Sequence, residues 1–200
     1  MSIIESEQRR LQYVERLEDP PVAQALFESV RWAWIWLPVR LFAGWQWLQA
    51  GIGKIGAPAW TGENAGAAVT GFVSGALEQA GGARPNVQGW YAWFLENVVL
   101  PNAVPWGYMV AYGELLVGLA LIAGLFTGVA AFFGAFMNMN YLLSGAVSTN
   151  PVLLTIAIFL ILAWKTAGWW GLDRWALPAL GTPWSPGLVL REREKREAAA

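Results

Sequence analysis

Two hundred residues suit a single compact domain, and a chain that is 56% hydrophobic and 14% charged, with mean hydropathy +0.39, carries more apolar side chain than a soluble domain of this size needs. A formal net charge of −1 gives no reason to expect a nucleic-acid partner. The chain has no Cys and no His, which removes disulfides, thiol steps, bis-His haem and most transition-metal sites, so neither haem nor metal is expected and redox chemistry would run on borrowed groups.

Residues 1–31 read as a cytoplasmic amphipathic segment. Leu11, Val14 and Leu17 lie on one side of a stretch rich in Glu and Arg that Pro20-Pro21 should stop, which predicts a surface helix. No short apolar run with a small-residue cleavage site is found there, so the first membrane helix is expected to target the chain.

The membrane part is expected over 32–169. Runs approaching the ~20 apolar residues of a spanning helix lie at 32–53, 106–125, 128–147 and 151–169. A tight link from Gly124 to Gly128 and the turn residues Ser148-Thr149-Asn150-Pro151 make consecutive spans antiparallel neighbours. The predicted fold is all-α, an integral membrane four-helix bundle of up-down topology.

Between the first two spans, residues 54–105 are too apolar for a plain loop. Residues 63–80 predict a helix ending at Gly81-Gly82, and Trp90, Trp93, Phe94, Leu95 and Val98 recur at helical spacing. Two short helices forming an amphipathic lid at the outer interface are expected. After the fourth span, residues 170–200 read as an interfacial segment with Trp170, Trp175 and Trp184, then a mixed-charge tail from Arg191 to Arg196.

Positive charge sets the orientation. Arg9, Arg10, Arg16 and Arg31 precede the first span, and Lys165, Arg174, Arg191, Arg193, Lys195 and Arg196 cluster at the other end, while the long link has only Lys54 and Arg84. Both termini are therefore expected in the cytoplasm of a multi-pass protein.

Polar groups inside the spans mark candidate function, because ionisable groups in hydrocarbon are costly and usually face a partner, a cavity or a substrate path. Counting 1.5 Å per residue from the expected span ends puts Arg40, Glu114, Asn138 and Asn140 near the bilayer middle. Gly107, Ala111, Glu114 and Gly118 share one side of the second span, and Ala131, Ala135, Asn138 and Gly145 one side of the third, so Glu114 and Asn138 are expected to point inward and Asn140 elsewhere. On the first span Trp36, Arg40, Ala43, Trp47, Ala50 and Lys54 form one face, where indoles and cations could hold a flat ring with polar oxygens. An Arg40–Glu114 pair could equally be a register-fixing ion pair or part of an ion path. Lys54 and Lys165, near span ends, read first as snorkelling anchors.

With these residues in hand, the chain resembles the DoxX/DoxD family of four-helix membrane proteins over roughly 36–178. The likeness rests on Arg40 with Gly51-Ile52-Gly53-Lys54, on Glu114-Leu115-Leu116-Val117-Gly118-Leu119 running on to Gly124-Leu125, and on Gly171-Leu172-Asp173-Arg174. The long outer segment is more like the DoxD branch. The resemblance implies the membrane subunit of a thiosulfate:quinone oxidoreductase, in a bacterial or archaeal plasma membrane, passing electrons from thiosulfate to quinone with a small partner subunit. On that reading Arg40 and Glu114 are the catalytic candidates, and Trp36, Arg40, Trp47, Lys54, Glu114 and Asn138 would line a quinone site. The alternative is a non-catalytic accessory subunit of a larger respiratory or other membrane complex.

Overall fold

The computed structural model describes residues 19–182, and all their regular structure is helical. The expected amphipathic helix around Leu11 and Val14, and the tail from Trp184 to Arg196, lie outside the described residues.

Pro20-Pro21 starts a helix: α1 runs Pro21–Phe27, with proline in its first turn, where a missing N–H costs nothing. The first expected span opens as a 3₁₀ turn, Val30–Ile35, capped by the Ser29 side chain accepting from the Arg31 N–H. Its α-helix, α2, is Trp36–Ile55, so Arg40 stands only one turn inside it.

The outer insertion departs from the expected pair of lid helices. A single turn, α3 (Pro58–Thr61), leads to α4 (Ala67–Glu78), but the next helix is not separate from the second span. α5 (Gly89–Phe94), a π segment (Leu95–Val99), a 3₁₀ turn (Leu100–Asn102) and α6 (Ala103–Ala123) run on as one helical stretch of 35 residues, long and apolar enough by length and composition to cross a membrane. Pro101 and Pro105 each remove a helical donor, which explains why the winding loosens there without ending. Asn97 and Asn102 side chains donate to Trp93 O and Val98 O, satisfying carbonyls along the irregular stretch.

α6 ends at Gly124, whose φ of +65° lets the Leu125 N–H reach back to Ala120 O in a Schellman turn. α7 (Thr127–Leu143) and α8 (Asn150–Leu162) follow. α8 has 13 residues, about 20 Å of rise against a ~30 Å hydrocarbon core, so the fourth expected span is a shorter helix continued by hydrogen-bonded turns over 163–172. A final short helix, α9, covers Asp173–Ala179.

α2 packs along α6, α6 against α7, α7 along α8, and α8 back against α2. Backbone proximity at the α2–α6 contact depends on small residues. A Cβ on Gly51 would sit 2.5 Å from Leu115 N, one on Gly44 would sit 2.8 Å from Ile122 Cγ1, and one on Gly118 would collide with the Leu48 backbone. Gly53, by contrast, has nothing within 4 Å of its would-be Cβ. Two apolar clusters result: one around Trp36, Trp47, Val117, Leu121, Ala131 and Leu160 among the long helices, the other around Val73, Val87, Tyr91 and Leu95 in the outer segment.

The polarity of this arrangement runs opposite to that of most soluble domains. Arg40, Glu114, Thr127 and Asn138 on α2, α6 and α7, with Thr166 and Asp173 after α8, are buried, while Leu41, Phe42, Leu116, Leu119, Phe132, Phe136, Ile158, Phe159 and Leu162 are exposed on α2, α6, α7 and α8.

Candidate functional site

The buried polar groups form two clusters at opposite ends of α2. Arg40 and Lys54 are about 21 Å apart along its axis at 1.5 Å per residue, and Glu114 goes with Lys54. The Lys54 ammonium lies 2.6 Å from Glu114 Oε2, with Glu114 closed off from solvent (2% of its side chain exposed) and Lys54 at 21%. Tyr141 on α7 donates its hydroxyl to Glu114 Oε1 at 2.6 Å, so one buried carboxylate is held by a cation and a phenol. Lys54 also stands 5.1 Å from the Trp60 ring centroid, and Tyr141 meets Phe72 edge-on.

Local sequence explains this meeting. Gly51 lies against Leu115, directly after Glu114, and Gly118 lies against Leu48, so the two glycines interlock α2 and α6 at the register that presents Lys54 to Glu114. The Arg40–Glu114 pair expected from estimated depth is therefore not formed. Counting from the run ends treats them as level, whereas Gly51 on Leu115 and Gly118 on Leu48 set a register that leaves Arg40 beside Gly124, about 15 Å along α6 from Glu114.

Arg40 is buried at the other end, beside the turn joining α6 to α7. Its Nη2 donates to Trp170 O at 3.1 Å, and its Nη1 lies against Gly124 and Gly171, where any side chain would collide with it. Its Nε and Nη1 have no partner within the protein. Asp173 lies nearby: its Oδ1 accepts from Phe126 N (2.6 Å), its Oδ2 from Thr127 N (2.9 Å), and its own N–H donates to Gly124 O (2.7 Å). One carboxylate thus caps α7 from a distant part of the chain, in place of a local cap, and complements the helix dipole. Asp173 thus braces the turn joining α6 to α7, while Trp170, Leu172 and Trp175 of the same segment are exposed.

Asn138 is fully buried, and neither its Oδ1 nor its Nδ2 has a partner within the protein. Gly134, Asn138 and Tyr141 follow one another on a single face of α7. A Cβ on Gly134 would touch Trp47 and Val117, and Tyr141 meets Glu114, so Asn138 lies between an indole and the Lys54–Glu114–Tyr141 cluster. Trp47 is buried in the main core. Trp36 is buried too, but its indole donates to Leu26 O and stacks on Phe27, which commits it to holding α1. Asn140 accepts from the Tyr91 hydroxyl at 2.9 Å and ties α5 to α7. Lys165 pairs with Glu28.

Of the six expected site residues, Lys54 and Glu114 meet, Asn138 lies about one turn of α7 from Tyr141, Trp47 is about two turns of α2 from Lys54, and Trp36 and Arg40 belong to the opposite end. Tyr141, Trp60 and Asp173 were not anticipated. Tyr141 could have been found, standing three residues from Asn138 on the same face, whereas the tertiary cap by Asp173 had no local signal beyond its motif. Separately, a cleft of about 540 Å³ opens in the outer segment between α4 and the turn before α6, lined by Asn64, Gly66, Thr70 and Pro101 among others.

Among known proteins, the family model described as "TQO small subunit DoxD" matches residues 35–185, which takes in both clusters and all four long helices. No curated protein and no solved structure matches.

Proposed function

The chain belongs to the DoxD family, and from that premise we propose that it is the membrane subunit of a thiosulfate:quinone oxidoreductase-like system that binds quinone beside Asn138, Glu114 and Tyr141. The observation that carries this reading is the Asn138 amide, buried without a partner next to a buried carboxylate and phenol. Leaving such an amide unpaired costs about 1–3 kcal/mol, and a ring carbonyl would accept from Nδ2, with the buried Trp47 indole one turn of α7 away at Gly134.

Buried Arg40, Glu114 and Asn138 on helices whose outer faces expose Leu, Ile and Phe support a multi-pass bundle in the lipid bilayer, and the positive charge on the terminal segments supports cytoplasmic termini. The roles then divide. Asn138 orients the quinone, Glu114 and Tyr141 handle protons, Lys54 is the cation that faces Glu114, and Arg40 braces the fold. Since the chain has neither Cys nor His, it offers thiosulfate no covalent persulfide step, and a partner subunit would present the sulfur substrate.

The test is to purify the chain with its native partners, extract lipid-soluble ligand, and assay thiosulfate-dependent reduction of a short-chain quinone. Bound quinone and turnover lost in Glu114→Gln support the reading. A complex that carries no quinone and reduces none favours the non-catalytic accessory subunit.

A further inference from the structure

Groups able to carry a proton are placed unevenly along the core, and we infer that protons consumed at the Asn138 site enter from the Lys54 end of the molecule and not from the Arg40 end. This rests on the quinone reading above.

Toward the Lys54 end, the face of α7 leads from Asn138 to Tyr141, whose hydroxyl donates to Glu114 Oε1, and Glu114 Oε2 meets Lys54 Nζ. Exposure rises along this line from a fully buried Asn138 to a Lys54 side chain at 21%. Phenol, carboxylate and ammonium are three groups that can each give up or take a proton. Around Lys54, Trp60 supplies only a ring face, Tyr108 is committed to Thr61 O, and Glu63, Glu78, Arg84 and Glu96 of the outer segment are exposed, so no further buried acid competes with Glu114.

Toward the Arg40 end, the layer beyond Asn138 consists of Trp47, Ala43, Val117, Leu121 and Ala131. Past it, Arg40 stays protonated at any physiological pH. Asp173 has both carboxylate oxygens occupied by the Phe126 and Thr127 amides. Among the described buried side chains, that end adds only the hydroxyls of Thr127 and Thr166, the latter donating to Phe27 O, and the apolar layer separates both from Asn138.

The chemistry balances as follows. Two thiosulfate ions lose one electron each and join through a new sulfur–sulfur bond, giving tetrathionate. The quinone gains those two electrons and two protons, and its two carbonyls become hydroxyls. For each proton, Lys54 first gives one to Glu114 Oε2. The Glu114 carboxyl so formed passes one to Tyr141 as the Tyr141 hydroxyl hydrogen turns from Glu114 to the ring oxygen and is transferred, and Lys54 is reprotonated by the medium at its own end.

The experiment uses vesicles holding the full chain with its co-purified partners, thiosulfate as donor, a short-chain quinone as acceptor, and pH dyes inside and outside. Protease removal of a tag after Ala200, which follows α9 at the Arg40 end, fixes the orientation. Quinone reduction with alkalinisation on the side opposite the tag is expected. Alkalinisation on the tag side overturns the inference and leaves the quinone reading standing, whereas no thiosulfate-dependent reduction removes both. Lys54→Arg gives a second readout, because it keeps the charge facing Glu114 but cannot release a proton. Turnover should fall roughly 100-fold at unchanged KM for quinone, and full turnover in that variant overturns the relay.

Discussion

Lys54 Nζ lies 2.6 Å from Glu114 Oε2, joining the last turn of α2 to the middle of α6. The two partners differ in access, and that makes their removal unequal. Lys54→Met strands a buried carboxylate and should cost on the order of 3–5 kcal/mol, whereas Glu114→Gln leaves an ammonium that can still reach the interface and should cost less. Thermal unfolding in detergent of both variants and of the double variant should show strong coupling. The same cycle with Arg40→Met and Glu114→Gln should be additive, since those two residues sit at opposite ends of the helix pair.

The α2–α6 contact makes a second prediction through glycines that look alike in sequence. Gly51→Ala and Gly118→Ala place a Cβ on facing backbone and should each cost about 1–3 kcal/mol. Gly53→Ala meets open space and should stabilise by roughly 0.5–1 kcal/mol through helix propensity. Melting temperatures of the three variants check this directly, and equal losses would deny the packing role of Gly51.

Asp173→Asn should weaken the cap on α7, because an amide offers one acceptor where the carboxylate offers two and brings no charge to the helix N-terminus. A loss of about 1–2 kcal/mol is expected, with hydrogen exchange accelerating first at the Phe126 and Thr127 amides. Unchanged exchange there would contradict the tertiary cap.

Helical character and the inward side of the second long helix were legible because small residues at three- and four-residue steps mark close-packed sides: Gly107, Ala111, Glu114 and Gly118 are all buried, whereas of the four expected on the third only Ala131 and Asn138 are, Ala135 being half-buried and Gly145 lying past the helix end. The pairing of charges was not legible. Depth read from hydropathy treats the ends of the apolar runs as level, whereas Arg40, one turn inside α2, stands beside Gly124 at the end of α6. A register set by Gly51 on Leu115 and Gly118 on Leu48 brought Lys54, not Arg40, to Glu114. Motif glycines carried that information, but only a structure shows which of the two in Gly51-Ile52-Gly53 faces a neighbour. Asp173 reaches across the chain to its amides, a contact without periodic trace.

The account stands or falls on Asn138 as a ligand contact. Asn138→Leu removes a buried amide that no protein group satisfies, so the ligand-free variant should be as stable as the parent or more so. Ligand that binds only the folded state raises stability by RT ln(1 + [L]/Kd), about 2.7 kcal/mol at a hundredfold excess over Kd. Melting curves with and without a short-chain quinone are the most direct measurement: the parent should gain that increment and Asn138→Leu should gain little at the same concentration. Equal gains in the two proteins, or none in a parent stripped of bound quinone, would contradict the account.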